Sequence, residues 1–194
     1  MYDLILDSST KILYISLVKD EKVVYEKYFE GKNDHAKNIV YMVDEALKSE
    51  NIDAFKLDKI IVGYGPGSYT GVRMAVTVAK MIAVFANVKL YTISTLLLMA
   101  SGEKDLVKAS IDARRGNAFS FVYDLKNDLP ILDEGMYSYE YLDTFDGKKI
   151  DENSFKVDAN YVIKKAKLVE EPHLLVPNYL RETEAERNLK WLGN

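Results

Sequence analysis

The sequence contains no cysteine and only two histidines among its 194 residues. The absence of cysteine excludes disulfide bonds and thiolate chemistry, and we therefore expect a cytoplasmic protein. The two histidines, His35 and His173, are far apart in the sequence, and no Ser/His/Asp set or pair of carboxylates stands out. We accordingly expect neither a bound metal ion nor a hydrolytic centre.

Long apolar runs and a strong net charge are also missing. No apolar run reaches the roughly 18 residues that a membrane-spanning helix needs, and the first four residues predict a strand rather than a signal peptide. The formal net charge of −4 argues against electrostatic binding of nucleic acid by the chain on its own. A local basic pair, Arg114 and Arg115, is a candidate RNA or partner contact, although such a pair is most often solvated surface.

Glycine is concentrated in one place, because four of the ten glycines fall between positions 63 and 71. The apolar run 60–62 precedes this segment, and a long apolar helical pattern at 72–85 follows it. A strand, a glycine loop and a helix in this order place backbone N–H groups near a helix N-terminus. The candidate loop residues are Gly65, Pro66, Gly67, Ser68, Tyr69, Thr70, Gly71 and Arg73.

This glycine loop matches none of three common functional motifs. No lysine follows Gly71, so the loop is not a P-loop. Thr70 stands where a dinucleotide-binding fingerprint needs its last glycine, and residues 90–94 offer no carboxylate for a ribose. Pro66 and Thr70 flank Ser68, which excludes a nucleophile elbow. Two interpretations stay open: a ligand-binding loop, or a tight turn in which Ser68 or Thr70 caps the following helix.

The rest of the chain alternates between strand and helix patterns. An antiparallel meander of three strands is predicted first, followed by a helix that Asn33 and Asp34 cap. The predicted strands are 3–6, 11–18, 22–29, 59–62, 89–93, 107–112 and 117–123, and the predicted helices are 35–49, 72–86 and one that starts at Ser94. Residues 126–160 give weaker signals that indicate short, peripheral strands, a helix and loops. Residues 160–167 predict a helix, and 182–191 is either a charged helix or a disordered end.

The predicted order is β-β-β-α-β-α-β, and a shorter copy of it begins near Val107. This order predicts a mixed α/β sheet covered by helices. Duplicated, it is the actin/hexokinase/Hsp70-like (ASKHA, ribonuclease H-like) fold, here with a first half at 1–105 and a shortened second half at 106–194. In that fold the first turn approaches a nucleotide phosphate, so we single it out as a vestigial phosphate loop, although the turn by itself favours a plain polar β-turn. Its residues are Asp7, Ser8, Ser9 and Thr10.

Several sequence blocks resemble the bacterial TsaB (YeaZ) family, and together they span nearly the whole chain. The blocks are 4–10, 65–73, 112–116, 177–181 and 184–186. The resemblance implies a role in forming N6-threonylcarbamoyladenosine at position 37 of tRNAs that read codons starting with A. It also implies a non-catalytic scaffold or activating subunit that binds TsaD, its catalytic paralogue, and that is joined by the ATPase TsaE.

The same resemblance carries expectations about ligands and oligomeric state. TsaB members are expected to pair as homodimers when alone, to reach tRNA through the complex, and to need no cofactor of their own, with room for residual nucleotide binding at the subunit interface. TsaD carries a metal-binding His-x-x-x-His, and the matching positions here are Thr95 and Met99. Neither is a plausible ligand for iron or zinc, which favours a non-catalytic protein.

The helix predicted at 72–86 is apolar on most sides, which predicts burial on most sides. The sheet would cover one side, and a neighbouring helix or a second protein would cover the other. The resemblance favours pairing through this helix and the first one. The candidate interface residues are Ile39, Met42, Val43, Val72, Ala75, Val76, Ala79 and Ala83.

Two other functions stay open at this point. One is an active small-molecule kinase or ATPase of the same fold, although only about 85 residues follow Lys108 and no Gly-Gly adenosine loop stands among them. The other is a plain dinucleotide-binding domain, which would leave the opening meander of three strands unexplained. Turnover of ATP by the isolated chain would distinguish the first, and titration with NAD the second.

Overall fold

The computed structural model describes residues 1–31 and 35–180 of the chain. The predicted helix cap at Asn33 and Asp34 and the predicted charged end at 182–191 lie outside the described residues. In chain order the first elements are β1 (Tyr2–Asp7), β2 (Ile12–Lys19), β3 (Lys22–Glu30), α1 (His35–Ser49), β4 (Lys59–Gly63), α2 (Tyr69–Ala86), β5 (Lys89–Ile93) and α3 (Thr95–Ala100). The later elements are β6 (Leu106–Arg114), β7 (Asn117–Asp124), β8 (Leu129–Ser138), α4 (Tyr139–Leu142), β9 (Lys148–Asp151), α5 (Ala159–Lys165) and β10 (Lys167–Leu168), with short 3₁₀ turns at Ala54–Lys56 and Pro172–Leu174.

The first sheet has the strand order β10-β5-β4-β1-β2-β3. Strands β1, β2 and β3 form the predicted antiparallel meander, whereas β4 and β5 run parallel to β1. Helices α1 and α2 pack on one face of this sheet, and α3 and α5 pack on the other. This topology confirms the predicted ASKHA-like fold.

The second sheet has the order β8-β7-β6-β9, which repeats the order β3-β2-β1-β4 of the first. Again three strands are antiparallel and the fourth runs parallel to its neighbour. Its own helices are short, with four residues in α4 and seven in α5. The chain then returns to the first sheet, where β10 pairs with β5. The predicted second half, 106–194, therefore contributes a strand to the sheet of the predicted first half, 1–105.

Strand β8 shows why the sequence signal weakens after Leu125. It is ten residues long but forms an edge, and its pairing with β7 is interrupted by two register shifts. Apolar side chains such as Leu129, Ile131 and Met136 stay largely exposed on it. Because bulges and an exposed edge disturb the alternation of apolar and polar residues, the pattern does not identify the strand.

Helix α2 is buried on one face only, which corrects the prediction of burial on most sides. It begins at Tyr69 after the N-cap Ser68 and ends at Ala86, before Asn87 in the left-handed conformation. Small residues of its inner face touch the sheet, whereas Met81 and Phe85 are 65% and 75% exposed. By length and composition α2 would also suit a membrane span, but its packed face is that of a core helix.

The fold buries all of the interface residues predicted from the sequence. Each is at most 6% exposed and belongs to the core between α1, α2 and the first sheet. A partner cannot reach side chains that already pack on the sheet. The outer side of α2 is apolar as well, so the sequence pattern could not tell the side that faces the sheet from the side that faces solvent. The residues it selected lie on the inner side of each helix. The residues concerned are Ile39, Met42, Val43, Val72, Ala75, Val76, Ala79 and Ala83.

Candidate functional site: a polar turn closed by the glycine loop

The two motifs singled out in the sequence meet at one edge of the first sheet. Strands β1, β4 and β5 are parallel, so their carboxyl ends lie at the same edge. The turn at 7–10 follows β1, the glycine loop follows β4, and α3 follows β5. This edge is where ligands bind in open α/β sheets, so the contacts made there decide whether a ligand fits.

The turn is almost completely buried. Asp7 and Thr10 are 2% and 5% exposed, and both serines are fully covered. The backbone N–H of Ser9 donates to Asp7 Oδ1 at 2.7 Å, and the Ser9 hydroxyl lies 3.3 Å from Oδ2. Thr10 Oγ1 donates to the carbonyl of Ile12 at 3.0 Å. The polar groups of the turn are therefore bonded within the chain.

Thr95 ties the turn to the glycine loop, a role that the sequence reasoning missed. Its hydroxyl donates to Asp7 Oδ2 at 2.6 Å and accepts from the backbone N–H of Gly65 at 3.2 Å. The backbone N–H of Thr95 donates in turn to the Gly65 carbonyl at 2.9 Å. Thr95 is the first residue of α3 and is fully buried. One side chain thus joins the ends of all three parallel strands.

The glycine loop lies directly on the turn. The N–H of Ser68 donates to the Ser9 carbonyl at 2.7 Å, and the Ser8 hydroxyl donates to the Gly71 carbonyl at 2.7 Å. A Cβ on Gly71 would lie 2.0 Å from the Ser8 carbonyl oxygen, and one on Gly67, where φ is +155°, would lie 2.3 Å from that of Ser9. Only glycine permits this approach.

The loop is also the cap of α2. Ser68 Oγ accepts from the N–H of Gly71 at 3.4 Å, so Ser68 rather than Thr70 is the N-cap. Thr70 is exposed in the first turn of the helix. The sequence left two interpretations open, a ligand-binding loop and a tight turn. The contacts observed here are those of a tight strand-to-helix turn.

Three backbone N–H groups at this edge of the sheet have partners within the chain. They belong to Ser9, Gly65 and Ser68, and each donates to an oxygen of the turn or of α3. Of the two positions that the sequence analysis compared with a metal-binding His-x-x-x-His, Thr95 is bonded to Asp7 and Met99 is buried in the second core. Over residues 1–31 and 35–180, no group of three or more His, Cys, Asp or Glu side chains could hold a metal ion.

The outer side of the loop carries an aromatic cluster. Tyr69 stacks on Tyr179 with ring centroids 4.9 Å apart, and the Arg73 guanidinium lies 5.3 Å from the Tyr69 ring centre. Arg73 Nη1 also donates to the Tyr69 hydroxyl at 2.7 Å. A cavity of about 420 Å³ opens beside this cluster, between the first turns of α1 and α2. Its lining is Ile39, Val40, Tyr69, Thr70, Arg73, Met74, Thr77 and Val78.

Beyond this cavity, α1 and α2 present an outer apolar face to solvent. Its members are 49–75% exposed, and the Phe85 ring packs at 5.3 Å against the exposed ring of Phe55. Several large apolar side chains exposed on neighbouring helices are typical of a protein–protein contact. The outer apolar face consists of Val40, Tyr41, Met81, Val84 and Phe85.

The basic pair lies elsewhere, at the tip of the β6–β7 hairpin. Arg114 and Arg115 are both exposed and adopt positive φ angles of 66° and 53°. The N–H of Arg114 donates to Asp112 Oδ1 at 3.0 Å, which shapes the turn. The two arginines are thus outside the buried site, on the surface of the second half.

Comparison with known proteins identifies the family. A family model described as TsaD, tRNA N6-adenosine threonylcarbamoyltransferase, matches residues 30–165. Similar curated proteins include the tRNA threonylcarbamoyladenosine biosynthesis protein TsaB of Bacillus subtilis, 33% identical over 129 residues that cover 65% of this chain and 56% of that protein. The TsaB protein of Escherichia coli is 31% identical over 122 residues, with coverages of 60% and 52%. The chain spans about half the length of these relatives.

A solved structure shows the same fold. YeaZ from Pseudomonas aeruginosa superposes with a TM-score of 0.75 at 22% sequence identity, covering 92% of this chain and 99% of that one. With the family model spanning well over half of the sequence, the chain belongs to the TsaD protein family, and the curated relatives and the solved structure that it resembles are TsaB (YeaZ) proteins.

Proposed function

We propose that this chain is a non-catalytic scaffold or activating subunit in the formation of threonylcarbamoyladenosine in tRNA. In this proposal a TsaD-type subunit transfers the threonylcarbamoyl group to N6 of adenosine 37, and a TsaE-type ATPase joins the assembly. The name shared by the relatives, tRNA threonylcarbamoyladenosine biosynthesis protein, supports the pathway. The buried bond between Thr95 and Asp7 is the observation that carries the non-catalytic role.

This bond supports the proposal because it occupies the place where an active relative would hold a ligand. A phosphate at the turn would have to displace the Ser68–Ser9 backbone bond of 2.7 Å, and a metal ion would have to displace the Thr95–Asp7 bond of 2.6 Å. Both bonds are buried, so breaking either leaves a polar group without a partner and costs about 1–3 kcal/mol. In this proposal the chain needs no cofactor of its own, and any residual nucleotide binds at the subunit interface.

The first test is the modification reaction itself. Purified chain is incubated with tRNA, threonine, bicarbonate, ATP and the enzyme that makes threonylcarbamoyl-adenylate, with and without a TsaD-type protein. We expect modified nucleoside only in the reaction that contains the TsaD-type protein, and more of it than TsaD-type protein gives without this chain. Modified tRNA in its absence would overturn the proposal.

The partner surface in this proposal is the outer apolar face. Its five exposed apolar side chains lie on α1 and α2, next to the cavity at Tyr69 and Arg73. Covering them removes apolar area from water at about 25 cal/mol per Å². A second copy of the chain covers this face when the protein is alone, and a TsaD-type subunit competes for it. The assembled complex, working in the cytoplasm, then contacts the tRNA.

A charge placed on the outer apolar face tests this surface. Val40→Glu and Met81→Glu should each abolish co-purification with a TsaD-type protein, because an unpaired charge buried in the contact costs several kcal/mol. Val23→Glu, at a 46% exposed valine of β3, is the matched control and should bind normally. Circular dichroism should match the parent in all three. Unchanged binding and dimerisation in both helix variants would place the partner elsewhere.

The alternative function, a kinase or ATPase, has its own test. ATP hydrolysis by the chain alone should stay at background, whereas an active enzyme of this fold would turn over ATP without a partner. Calorimetric titration of ATP into the chain, and into its mixture with a TsaD-type protein, separates a lost site from one formed between subunits. Turnover that survives repurification would favour the kinase or ATPase.

A further inference from the structure

Glu134 is a half-buried carboxyl group that reaches from the second half of the molecule into the first. It lies on β8, the edge strand of the second sheet. The Ser94 hydroxyl donates to its Oε1, and the Asn178 side-chain amide donates to Oε2 at 3.5 Å. Neither the site described above nor the proposed function uses this group.

Its two partners belong to different segments of the chain. Ser94 follows β5 and is the N-cap of α3, where its Oγ also accepts from the N–H of Leu97 at 3.3 Å. Asn178 lies in the strap, the segment 169–180 that runs back over α2, and its N–H donates to the Tyr64 carbonyl at 2.7 Å. One carboxyl group thus connects β8, the start of α3 and the strap.

The strap is also held at its start and middle, where the Val169 N–H donates to the Leu90 carbonyl at 2.9 Å and Leu175 packs against the first core. Lys80 Nζ of α2 donates to the carbonyls of His173 and Leu175 at 2.9 and 3.2 Å, and Tyr179 stacks on Tyr69. Leu174 and Val176 are 74% and 66% exposed. A segment with few buried contacts opens locally more easily than the core does, so the bond to Glu134 matters for its position.

Burial raises the pKa of Glu134 from its ordinary value of 4.5 to about 7, and the positive charge of Lys167 on β10 only partly opposes this. Tyr64, at the end of β4, also faces it, and burial and the charge of Glu134 both raise the pKa of that hydroxyl. Ser94 and Asn178 are neutral. When Glu134 is neutral, its O–H can donate to Ser94 Oγ, so the contact survives protonation.

We propose that Glu134 is a pH-sensitive clasp between the two halves, which holds the start of α3 and the strap when it is neutral and loosens both when it ionises. The reason is that ionisation of Glu134 and opening of the clasp are thermodynamically linked. In the closed arrangement the carboxyl group is shielded from water, whereas in an opened one it is solvated and ionises easily. Raising the pH therefore favours the opened arrangement.

Hydrogen exchange of the full chain tests this clasp. We compare the Leu97 and Asn178 amides at about pH 6 and about pH 8, correcting for intrinsic exchange, and expect opening to increase by up to about tenfold at the higher pH. The Val72 amide, which donates to the Ser68 carbonyl at 2.9 Å in α2, is the internal reference and should not change.

Two variants separate the clasp from a general effect of pH. Glu134→Gln cannot ionise, so the pH dependence at both amides should disappear. Asp133→Asn removes the neighbouring exposed carboxylate on the same strand and should keep the dependence of the parent. An equal pH response in the parent and in Glu134→Gln would overturn the proposal.

A measurement on the parent protein guards against a variant that fails to fold. The carboxyl carbon of Glu134 can be titrated by NMR in the intact chain. A midpoint near 7, with chemical-shift changes of the Ser94 and Asn178 amides at the same pH, supports the clasp. A midpoint near 4.5, or a titration that those amides do not follow, would overturn it.

Discussion

The two halves of the molecule have the same strand order but treat their first turns in opposite ways. In the first half the turn after β1 is buried beneath the glycine loop, and all four residues are at most 5% exposed. In the second half the turn after β6 carries Arg114, Arg115 and Gly116, all exposed, and a Cβ on that glycine would meet nothing within 4 Å. Both turns are polar, so polarity did not decide which one is covered.

The segment after the fourth strand makes the difference. In the first half β4 leads into the glycine loop, whose backbone reaches the turn through Ser68 and Gly71. In the second half β9 leads into a short turn that the Asp151 side chain holds through the N–H groups of Asn153 and Ser154. A duplicated strand order therefore does not duplicate the site, because the site is made by connections between strands.

The helices differ in the same sense. The first half has two long helices, α1 and α2, of 15 and 18 residues, beside the six-residue α3, whereas α4 and α5 have four and seven. Only the long helices have enough turns to pack one stripe on the sheet and present another to solvent. The outer apolar face is consequently a property of the first half.

The largest effect should come from filling the closest approach in the covered turn. Gly67→Val places a branched side chain against the Ser9 carbonyl at positive φ, and we expect it to lower the free energy of unfolding by about 3 kcal/mol. Urea denaturation measures this. Gly116→Asn, at φ +75° in the open turn, should change stability by less than about 0.5 kcal/mol. Equal losses in the two variants would remove the distinction between the turns.

The next effect should come from the side chain that ties the covered turn together. Thr95→Val keeps the shape but removes the donor to Asp7 and the acceptor for the Gly65 N–H, at a cost of about 2 kcal/mol. Thr70→Val is the matched control, at an exposed threonine in the first turn of α2. It should lower the free energy of unfolding by less than about 0.5 kcal/mol. Thermal unfolding of both compares them. A parental melting temperature for Thr95→Val would mean that the network does not stabilise the turn.

A smaller effect is expected for the contact that joins the halves. Because the pKa of Glu134 is about 7 when folded and 4.5 is its ordinary value, the folded chain keeps a proton that the unfolded chain loses between these values. Stability should therefore fall as the pH rises through this window. Relative to Glu134→Gln the loss should reach about 1–2 kcal/mol, reduced by partial exposure. Denaturation of the parent and of Glu134→Gln at several pH values between 4.5 and about 7 measures this loss. Parallel curves of stability against pH for the two proteins would contradict the prediction.

The smallest effect on stability should be at the open turn. Replacing Arg114 and Arg115 by glutamine removes two exposed charges and should change the free energy of unfolding by less than about 0.5 kcal/mol. Any consequence should appear instead in the complex, as weaker binding of tRNA or of a partner. Filter binding of tRNA to the complex at two salt concentrations, with the parent as reference, measures this effect. Unchanged binding would mean that Arg114 and Arg115 are only solvated surface.

Much of the first half could be predicted because its local patterns agree with its packing. The meander β1–β3, the strands β4 and β5 and the helix α1 follow clear periodicities, since each buries one face on the sheet. Strand β8 could not be found in this way, because an irregular edge strand has no clean alternation. Thr95 gave no signal at all, because one threonine at a helix start is ordinary until Asp7 is brought beside it.

The helix α2 marks the boundary between the two kinds of information. The sequence by itself determined that 72–86 forms an apolar helix after a glycine loop, because helical spacing and glycine spacing are local properties. The structure adds the turn from Tyr69 and identifies Ser68 as the cap. Only the tertiary structure decided which stripe of it faces the sheet, and so which side chains are free for a partner. It also decided that the polar turn is closed, because contacts between Gly71 and Ser8, or between Thr95 and Asp7, join residues 63 and 88 positions apart. Such contacts exist only after the strands have aligned their ends.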